Sequence, residues 1–230
     1  MSFLNELELL FESETIKPTF NNVHIILSLL IFDQNPEGIG RYRLKSELLI
    51  GSGTSKSLVK RLEERVNFIK VKDEVGKSER QNVRKGHVLT AKGSKFLDKI
   101  KLKIPLLTKG DLSILKEIII DAENNFLYYC LVRDAAHRIT NGIEQRDAAI
   151  KVNGSGATCL IFNGKNLVFP SSSENEQERT KVNLNILNYF KRNLSKYTSE
   201  FRKNDAIIIG LGKSPELARL ASLNAALTLF

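Results

Sequence analysis

Cysteine and histidine are scarce in this sequence, which excludes two common kinds of structural support. The 230 residues include two Cys and three His. Two cysteines cannot build the framework of a disulfide-rich domain, and Cys130 and Cys159 lack the close spacing of zinc ligands. Since the histidines are also far apart along the chain, we expect no metal and no other cofactor. We expect both cysteines to be small, buried hydrophobic residues.

Long apolar runs and an export signal are lacking as well. The longest nearly apolar run, residues 23–32, is about half the length that a bilayer span needs. The first residues, Met1 to Glu6, have neither the basic region nor the small-residue cleavage site of a secretory signal. These absences predict no transmembrane helix, no membrane partner and a cytoplasmic location.

The composition is that of a globular protein, and its charge is unevenly distributed. Hydrophobic residues make up 42% of the chain and charged residues 27%, and the net charge is +9. Residues 38–103 contain eighteen Lys and Arg against seven Asp and Glu, a local charge of +11, whereas residues 106–230 have sixteen against thirteen. A basic block of this kind is typical of a polyanion-binding surface, although it is also compatible with a merely solvated one.

The basic block has the helix pattern of a helix-turn-helix. The apolar stripe of residues 23–31 predicts a first helix with one buried face. Residues 40–43 read as a short extended piece before a second helix over 44–49. Gly51-Ser52-Gly53 predicts a tight turn, and Thr54 a helix N-cap. The third helix is predicted to end at about Val66. Its apolar residues recur every four positions, so its polar side chains are expected to point outward.

A β-hairpin is predicted after the third helix, followed by a fourth helix. Residues 67–71 and 83–89 have strand composition, and the polar loop between them contains Gly76. The segments 42–48, 53–62 and 86–93 resemble winged helix-turn-helix domains of prokaryotic and archaeal regulators, in which the hairpin is the wing. The resemblance implies duplex DNA as the partner, with contacts from Thr54, Ser55, Lys56, Ser57, Lys60 and Arg61 in the helix and from Lys77, Arg80, Arg84 and Lys85 in the wing. A winged helix that binds only other proteins is the alternative.

The second half of the chain reads as an α+β domain without a catalytic signature. Strands are predicted over 126–133, 157–162, 165–169 and 205–210, and helices over 142–152, around 187–201 and from Ser214 onward. Asn163-Gly164 is a strong hairpin signal. This order predicts a two-layer α+β domain, in which a mainly antiparallel sheet has helices on one face. We expect an N-terminal lead over 1–18, the winged helix over 19–104 and this domain over 105–230.

A narrower resemblance covers the second half. The segments 142–151, 155–158, 168–170, 205–210 and 221–228 look like an archaeal family that pairs a domain of unknown function, DUF4443, with an N-terminal winged helix. The resemblance extends from about residue 20 onward. It implies an archaeal origin and an α+β C-terminal domain, and it provides no catalytic residues.

Two places in this domain are candidate sites for a small anionic effector. Charged residues are dense between a strand end and a helix start, where Arg133, His137, Arg146 and Asp147 form either a polar pocket or an ordinary ion-pair cluster. Lys213 and Ser214 precede the last helix, whose free amide groups suit an anion, although a plain turn is the simpler interpretation. An acid-base pair of His137 and Asp147 is a further alternative.

The sequence as a whole predicts a DNA-binding transcriptional regulator rather than an enzyme. Its C-terminal domain is expected to sense a small ligand, to form a homodimer, or both, because two-fold symmetric operators favour dimers. The rival hypothesis is an enzyme or an RNA-associated factor whose winged helix is a protein-interaction module.

Overall fold

The computed structural model describes residues 3–13, 17–72, 86–119, 123, 125–171, 180–197 and 200–230. The chain divides into two compact units, Met1–Ile100 and Lys101–Phe230. Among the residues that the structure describes, no helix combines the length and apolar character needed to span a membrane.

The first unit has the element order of a winged helix-turn-helix. A short 3-10 helix, Phe3–Leu10, precedes α1 (Asn22–Asp33), α2 (Arg41–Leu48), α3 (Ser52–Glu64), the hairpin β1 (Ile69–Val71) and β2 (His87–Leu89), and α4 (Ala91–Lys103). The strands β1 and β2 pair antiparallel, and an isolated bridge joins Ile39 to His87 as a third short strand. Phe68 and Phe96 stack with ring centroids 4.7 Å apart, which packs the hairpin against α4.

Helix α1 is the centre of this unit and is buried on more than one face. Of its residues, 23, 25–29, 31 and 32 are buried, as expected of a helix that is apolar all round. The backbone N–H of Asn21 donates to Nδ1 of His24 at 3.0 Å, so the helix start is capped. The sequence predicts one buried face for α1, whereas more than one of its faces is buried.

The second unit is an α+β domain with an antiparallel sheet, as predicted. Its elements are β3 (Leu106–Lys109), α5 (Leu112–Leu115), β4 (Phe126–Val132), α6 (Ile143–Lys151), β5 (Gly156–Phe162), β6 (Leu167–Val168), α7 (Leu184–Lys196), β7 (Ala206–Gly212) and α8 (Pro215–Leu227). The strand order in the sheet is β3-β4-β7-β5-β6, and every neighbouring pair is antiparallel.

Helices cover both faces of this sheet, so the two-layer prediction is wrong and the domain has three layers. Two successive residues of β4 show this directly. The ring of Tyr129 packs edge to face against Phe190 of α7, with centroids 5.0 Å apart. The next side chain, Cys130, points to the opposite face, where its Sγ lies 3.3 Å from Oγ of Ser222 in α8. Helices α6 and α8 thus lie on one face and α5 and α7 on the other.

Helix α8 approaches the sheet closely because β7 carries glycine where the two elements meet. A Cβ atom on Gly210 would lie 2.1 Å from the backbone nitrogen of Ser222. The alanines of α8, residues 218, 221, 225 and 226, have no exposed surface. They therefore pack within the domain and are not available as a dimer contact.

Candidate functional site

The turn between α2 and α3 differs from the one that the sequence predicts. Helix α2 begins at Arg41, so residues 41–43 are helical and only Gly40, the N-cap, is extended. Leu49 closes α2 with φ 54° and ψ 37°, a left-handed conformation that is strained for a leucine. Gly51 is the N-cap of α3 and Ser52 is its first residue. The expectation that Thr54 caps the helix is therefore wrong.

Ser55 faces the interior and fixes α3 against α2. Its side chain is 1% exposed, and its Oγ donates to the carbonyl oxygen of Arg41 at 3.2 Å. Leu58 and Leu62 follow at spacings of three and four residues and are fully buried, so Ser55 belongs to their stripe. The prediction that Ser55 lies on an outward, DNA-facing side is wrong for this reason.

The outward side of α3 carries two exposed lysines. Lys56 and Lys60 are both exposed and lie one helical turn apart. The Nζ of Lys60 is 3.8 Å from Glu64, a surface pair of the kind that contributes little to stability. Thr54 is half-buried, with its Oγ1 2.7 Å from that of Thr19. The structure thus brings the two lysines together on the open surface and places Thr54 at its edge.

Arg61 is engaged by the N-terminal segment, residues 3–13. Its Nη1 donates to the carbonyl oxygens of Leu10 at 2.9 Å and Glu12 at 2.6 Å, and its Nε donates to Oγ of Ser57 at 3.3 Å. Partial burial and then the neighbouring charge of Arg65 lower its pKa, although an arginine stays protonated. Arg61 and Ser57 are therefore committed to internal bonds, and a phosphate contact from Arg61 requires their release.

Three residues at the start of α2 belong to the same surface and were missed by the sequence interpretation. Arg41, Tyr42 and Arg43 are exposed. The Cζ of Arg41 lies 5.3 Å from the ring centroid of Tyr42, a cation-π contact, and Nε of Arg43 is 3.9 Å from Glu47. The prediction of an extended piece over residues 40–43 does not place them on a helix. An Arg-Tyr-Arg triplet beside a helix start is the signal that would have found them.

The wing is described only at its base. Lys77, Arg80, Arg84 and Lys85 lie outside the described residues. At the base, Nζ of Lys72 is 2.8 Å from Glu37, and this hydrogen bond holds the pKa of Glu37 below its usual value. Burial lowers the pKa of His87, against the opposing effect of Glu63 at 3.8 Å.

In the second unit, Arg133 belongs to a buried structural ion pair. Its partner is Asp205, whose side chain is 1% exposed. Asp205 also accepts the backbone N–H of Asp134 at 3.2 Å and that of Arg202 at 2.8 Å. These bonds tie the end of β4 to the start of β7. The ion-pair alternative is therefore the better interpretation of Arg133, with Asp205 rather than Asp147 as the partner.

His137 and Arg146 each have a local partner. Nε of Arg138 donates to Nε2 of His137 at 3.4 Å. Nε and Nη2 of Arg146 donate to Oδ1 of Asp147 at 3.1 and 3.0 Å, with about half of each side chain exposed. Within the described residues, the hydrogen bonds given above join Arg133, His137 and Arg146 to different partners, so these bonds do not form the predicted pocket.

The start of α8 is capped by the chain itself. Ser214 accepts the N–H of Leu217 at 3.3 Å, as its predicted N-cap role requires. Hydrogen bonds from the backbone N–H of Glu216 and from Ser214 lower the pKa of the Glu216 carboxyl. This carboxylate supplies the negative charge that a helix N-terminus favours. Lys213 is exposed beside it. The plain capped turn therefore accounts for Lys213 and Ser214 without an anion.

Both cysteines are buried thiols. Cys130 is fully buried and Cys159 is 3% exposed, and burial raises the pKa of each to about 12. The prediction of buried hydrophobic cysteines is confirmed. No group of three His, Cys, Asp or Glu side chains suited to a metal ion occurs in the described part of the chain.

Comparisons with known proteins agree with this fold. A family described as a domain of unknown function, DUF4443, matches residues 123–229, which confirms the family resemblance for that part of the second unit. The solved structure of a hypothetical protein from Pyrococcus horikoshii OT3 is similar, with a TM-score of 0.61 and 22% identity over 91% of this chain and 93% of that one. Among curated proteins there is no match. At this identity the structural likeness concerns the fold alone.

Proposed function

We propose that the first unit binds double-stranded DNA and that the protein regulates transcription. The observation that carries the proposal is the division of α3 into a packed side and an open side. Ser55, Leu58 and Leu62 hold the helix in place, while Lys56 and Lys60 are exposed on a helix that follows a turn. A helix presented in this way is suited to the major groove, where its first turns reach the base edges.

The cations of the proposed interface have different tasks. Lys56 and Lys60 on α3 meet bases or nearby phosphates, with Thr54 at the edge. Arg41 and Arg43 at the start of α2 bind phosphates, which fixes the register of the helix in the groove. Lys77, Arg80, Arg84 and Lys85, between β1 and β2, belong to the wing and complete the backbone contacts. Ser55 and Arg61 are left out of the interface because their polar groups are bonded inside the unit.

The second unit then has the supporting role in regulation. In this proposal it joins two copies of the chain into a dimer, so that two α3 helices read the two halves of a symmetric operator. A small anionic effector is the further partner that we propose for it. The protein acts on DNA in the cytoplasm and catalyses no reaction.

A charge-reversal experiment tests the proposal. The double variant Lys56→Glu/Lys60→Glu is expected to bind duplex DNA at least about tenfold more weakly. The slope of the logarithm of its binding constant against the logarithm of the salt concentration is expected to fall in magnitude by about 2, because each lost phosphate contact removes about 0.9. The measurement is fluorescence anisotropy of a labelled random-sequence duplex at several salt concentrations.

The matched control reverses the same number of charges in the second unit. Lys191 and Lys196 are exposed on α7, a helix of the same length as α3. The variant Lys191→Glu/Lys196→Glu has the same net charge and is expected to keep the salt slope of the unaltered chain. Equal affinities and equal slopes for the two double variants would overturn the proposal, since net charge alone would then explain binding.

A further inference from the structure

One stretch of β5 lies at an open edge of the sheet. On one side, β5 pairs with β7 from Gly156 to Ile161. On the other side, β6 pairs only with Ile161 and Phe162. Among the described residues, therefore, no strand continues β6 alongside Ala157 to Cys159. At 3.3 to 3.4 Å per residue the open stretch is about 10 Å long.

The backbone of this stretch presents hydrogen-bonding groups outward. Phe162 donates its N–H to the carbonyl oxygen of Asp205 at 2.8 Å, toward β7. Hydrogen-bonding direction alternates along an antiparallel strand, so Leu160 and Thr158 also face β7. The N–H and C=O groups of Ala157 and Cys159 therefore point away from β7. Ala157 is half-buried, so its groups are accessible at the open edge, whereas Cys159 is only 3% exposed.

Pro170 explains why β6 stops where it does. The pairing of Ile161 with Val168 would place residue 170 opposite Cys159, but proline has no N–H to donate there. Its neighbour Phe169 donates to the carbonyl oxygen of Thr180 at 2.9 Å, on the side away from β5. The chain thus leaves β5 at Pro170, and on this side none of the residues that the structure describes pairs with β5 beyond it.

The open edge is the floor of a cavity of about 460 Å³. One wall, on the face of α6, has Ile143 and Arg146. The other wall, on the face of α5 and α7, has Glu117 and Ile118. The volume lies within the range of ligand sites, about 300 to 1,000 Å³. The lining also contains the polar side chains of Asn141 and Thr158, and its charged residues are one cation, Arg146, on one face and one carboxylate, Glu117, on the other.

We propose that this groove binds an extended peptide segment of a partner protein, which adds to β5 as an antiparallel sixth strand of the sheet. Side chains of a strand point alternately to its two faces. The segment that fits therefore has an acidic residue, facing Arg146, next to a basic residue, facing Glu117, with apolar residues on both sides. Backbone hydrogen bonds to Ala157 contribute affinity, and Arg146 and Glu117 determine which peptide sequence is preferred.

Arg146 and Glu117 can each bind a further charged group on such a partner. Arg146 uses Nε and Nη2 for Asp147, both bonds going to one carboxylate oxygen, and a guanidinium has further donors. Glu117 accepts from Nδ2 of Asn183 through Oε2, and a carboxylate has a second oxygen that can accept from a cation. A second copy of this chain fits less well. Two β5 edges paired about a two-fold axis would place both copies of Arg146 on the same face of the joint sheet.

The test is a selection of peptides on the full chain. A displayed library of random twelve-residue peptides is panned on the unaltered protein and, in parallel, on Ala157→Pro. This substitution removes one outward N–H and leaves the β7 ladder intact, because the amide of Ala157 does not face β7. Peptides enriched on the unaltered chain alone are expected to share the adjacent acidic and basic residues.

Backbone methylation distinguishes strand addition from other binding. Ala157 and Cys159 direct their side chains to the α6 face, so the opposing acidic residue directs its own N–H to β5. N-methylation of that acidic residue in a selected peptide is expected to weaken binding about tenfold or more. N-methylation of the adjacent basic residue, whose N–H points away, is the matched control and is expected to leave the affinity unchanged.

Charge reversal on α6 gives a second, independent measurement if Ala157→Pro does not fold. Arg146→Glu is expected to weaken the selected peptides about tenfold, and Lys151→Glu, on the same helix but outside the groove, is expected to leave them unaffected. The proposal is overturned if no peptide is enriched over the Ala157→Pro selection, or if the two N-methylated peptides bind equally. It is also overturned if sedimentation shows a dimer that Ala157→Pro converts to a monomer, since the edge then belongs to a second copy.

Discussion

Helices α3 and α8 are both thirteen residues long, yet only α3 presents a polar surface. Four residues of α3 are buried, against eight of α8. A helix buried along one stripe stays available to a partner, whereas a helix buried on most sides serves the core. The same difference separates the charged residues of the two units: Lys56 and Lys60 are exposed, and Arg133 is enclosed with Asp205. The role of a cation is therefore set by its enclosure more than by the local net charge.

The largest effect is expected where an enclosed charge loses its partner. Arg133→Met leaves the carboxylate of Asp205 buried and uncompensated, which costs about 3 to 5 kcal/mol of the free energy of unfolding. Arg146→Met removes an exposed pair and is expected to cost less than about 1 kcal/mol. Urea unfolding followed by tyrosine fluorescence measures both, because four of the five tyrosines lie in the second unit. Similar decreases in the free energy of unfolding for Arg133→Met and Arg146→Met would contradict the distinction between buried and exposed charges.

Two glycine substitutions test whether α8 is packed more closely than α3. Gly210→Ala places a Cβ 2.1 Å from the backbone of α8 and is expected to lower stability by about 1 to 3 kcal/mol. Gly53→Ala, in α3, meets nothing within 4 Å and is expected to raise stability by about 0.5 kcal/mol. Thermal unfolding by circular dichroism measures both changes. A stabilised Gly210→Ala variant would show that α8 does not require this close approach.

A smaller loss of stability is expected at acidic pH, and it arises in the first unit. Burial lowers the pKa of both His24 and His87 below the ordinary value of about 6.5. The unfolded chain then binds protons more readily than the folded one, so stability is full above that value and falls as the pH drops through it. Urea midpoints at pH 7.5 and pH 5.5, followed by far-ultraviolet circular dichroism, measure the loss. The double variant His24→Gln/His87→Gln is expected to lose less stability over this interval, and an unchanged pH dependence would contradict the assignment.

Elements fixed by local pattern could be predicted from the sequence. The strands β4 and β7 were expected from their aromatic and branched residues, and α8 from the order of Ser214, Pro215 and Glu216. Strand β3 was missed, because Pro105 and Gly110 at its ends read as a linker. Its strand character depends on pairing with β4, from Leu106 opposite Leu131 onward, and a single short segment carries no sign of a distant partner.

The layer number was wrong although the sequence contains the relevant signal. Residues 127–132 and 206–211 are nearly continuous apolar runs, and such runs are typical of strands covered on both faces. A sheet with one solvated face would have alternated. Read in this way, the two strands predict helices on both sides, as α7 and α8 show.

The candidate DNA surface was predicted in part. Lys56 and Lys60 follow from the spacing of the leucines in α3. Ser55 and Arg61 do not, because their outcome depends on the carbonyl oxygens of Arg41 and Leu10, which are remote in sequence. Hydrogen bonds from a side chain to a distant backbone group leave no periodic pattern. Polar residues are therefore the least predictable members of such a surface.

The N-terminal segment has a consequence for the synthesis of the protein. Leu7 and Leu10 are fully buried, and Glu6 pairs with Lys99, 93 residues later in the chain. At translation rates of about 5 to 20 residues per second, the first residues wait on the order of 5 to 20 s for the last of these partners. The ion pair between Glu6 and Lys99 therefore forms only after the whole of residues 6–99 has been made, so the N-terminal segment gains this contact late in synthesis.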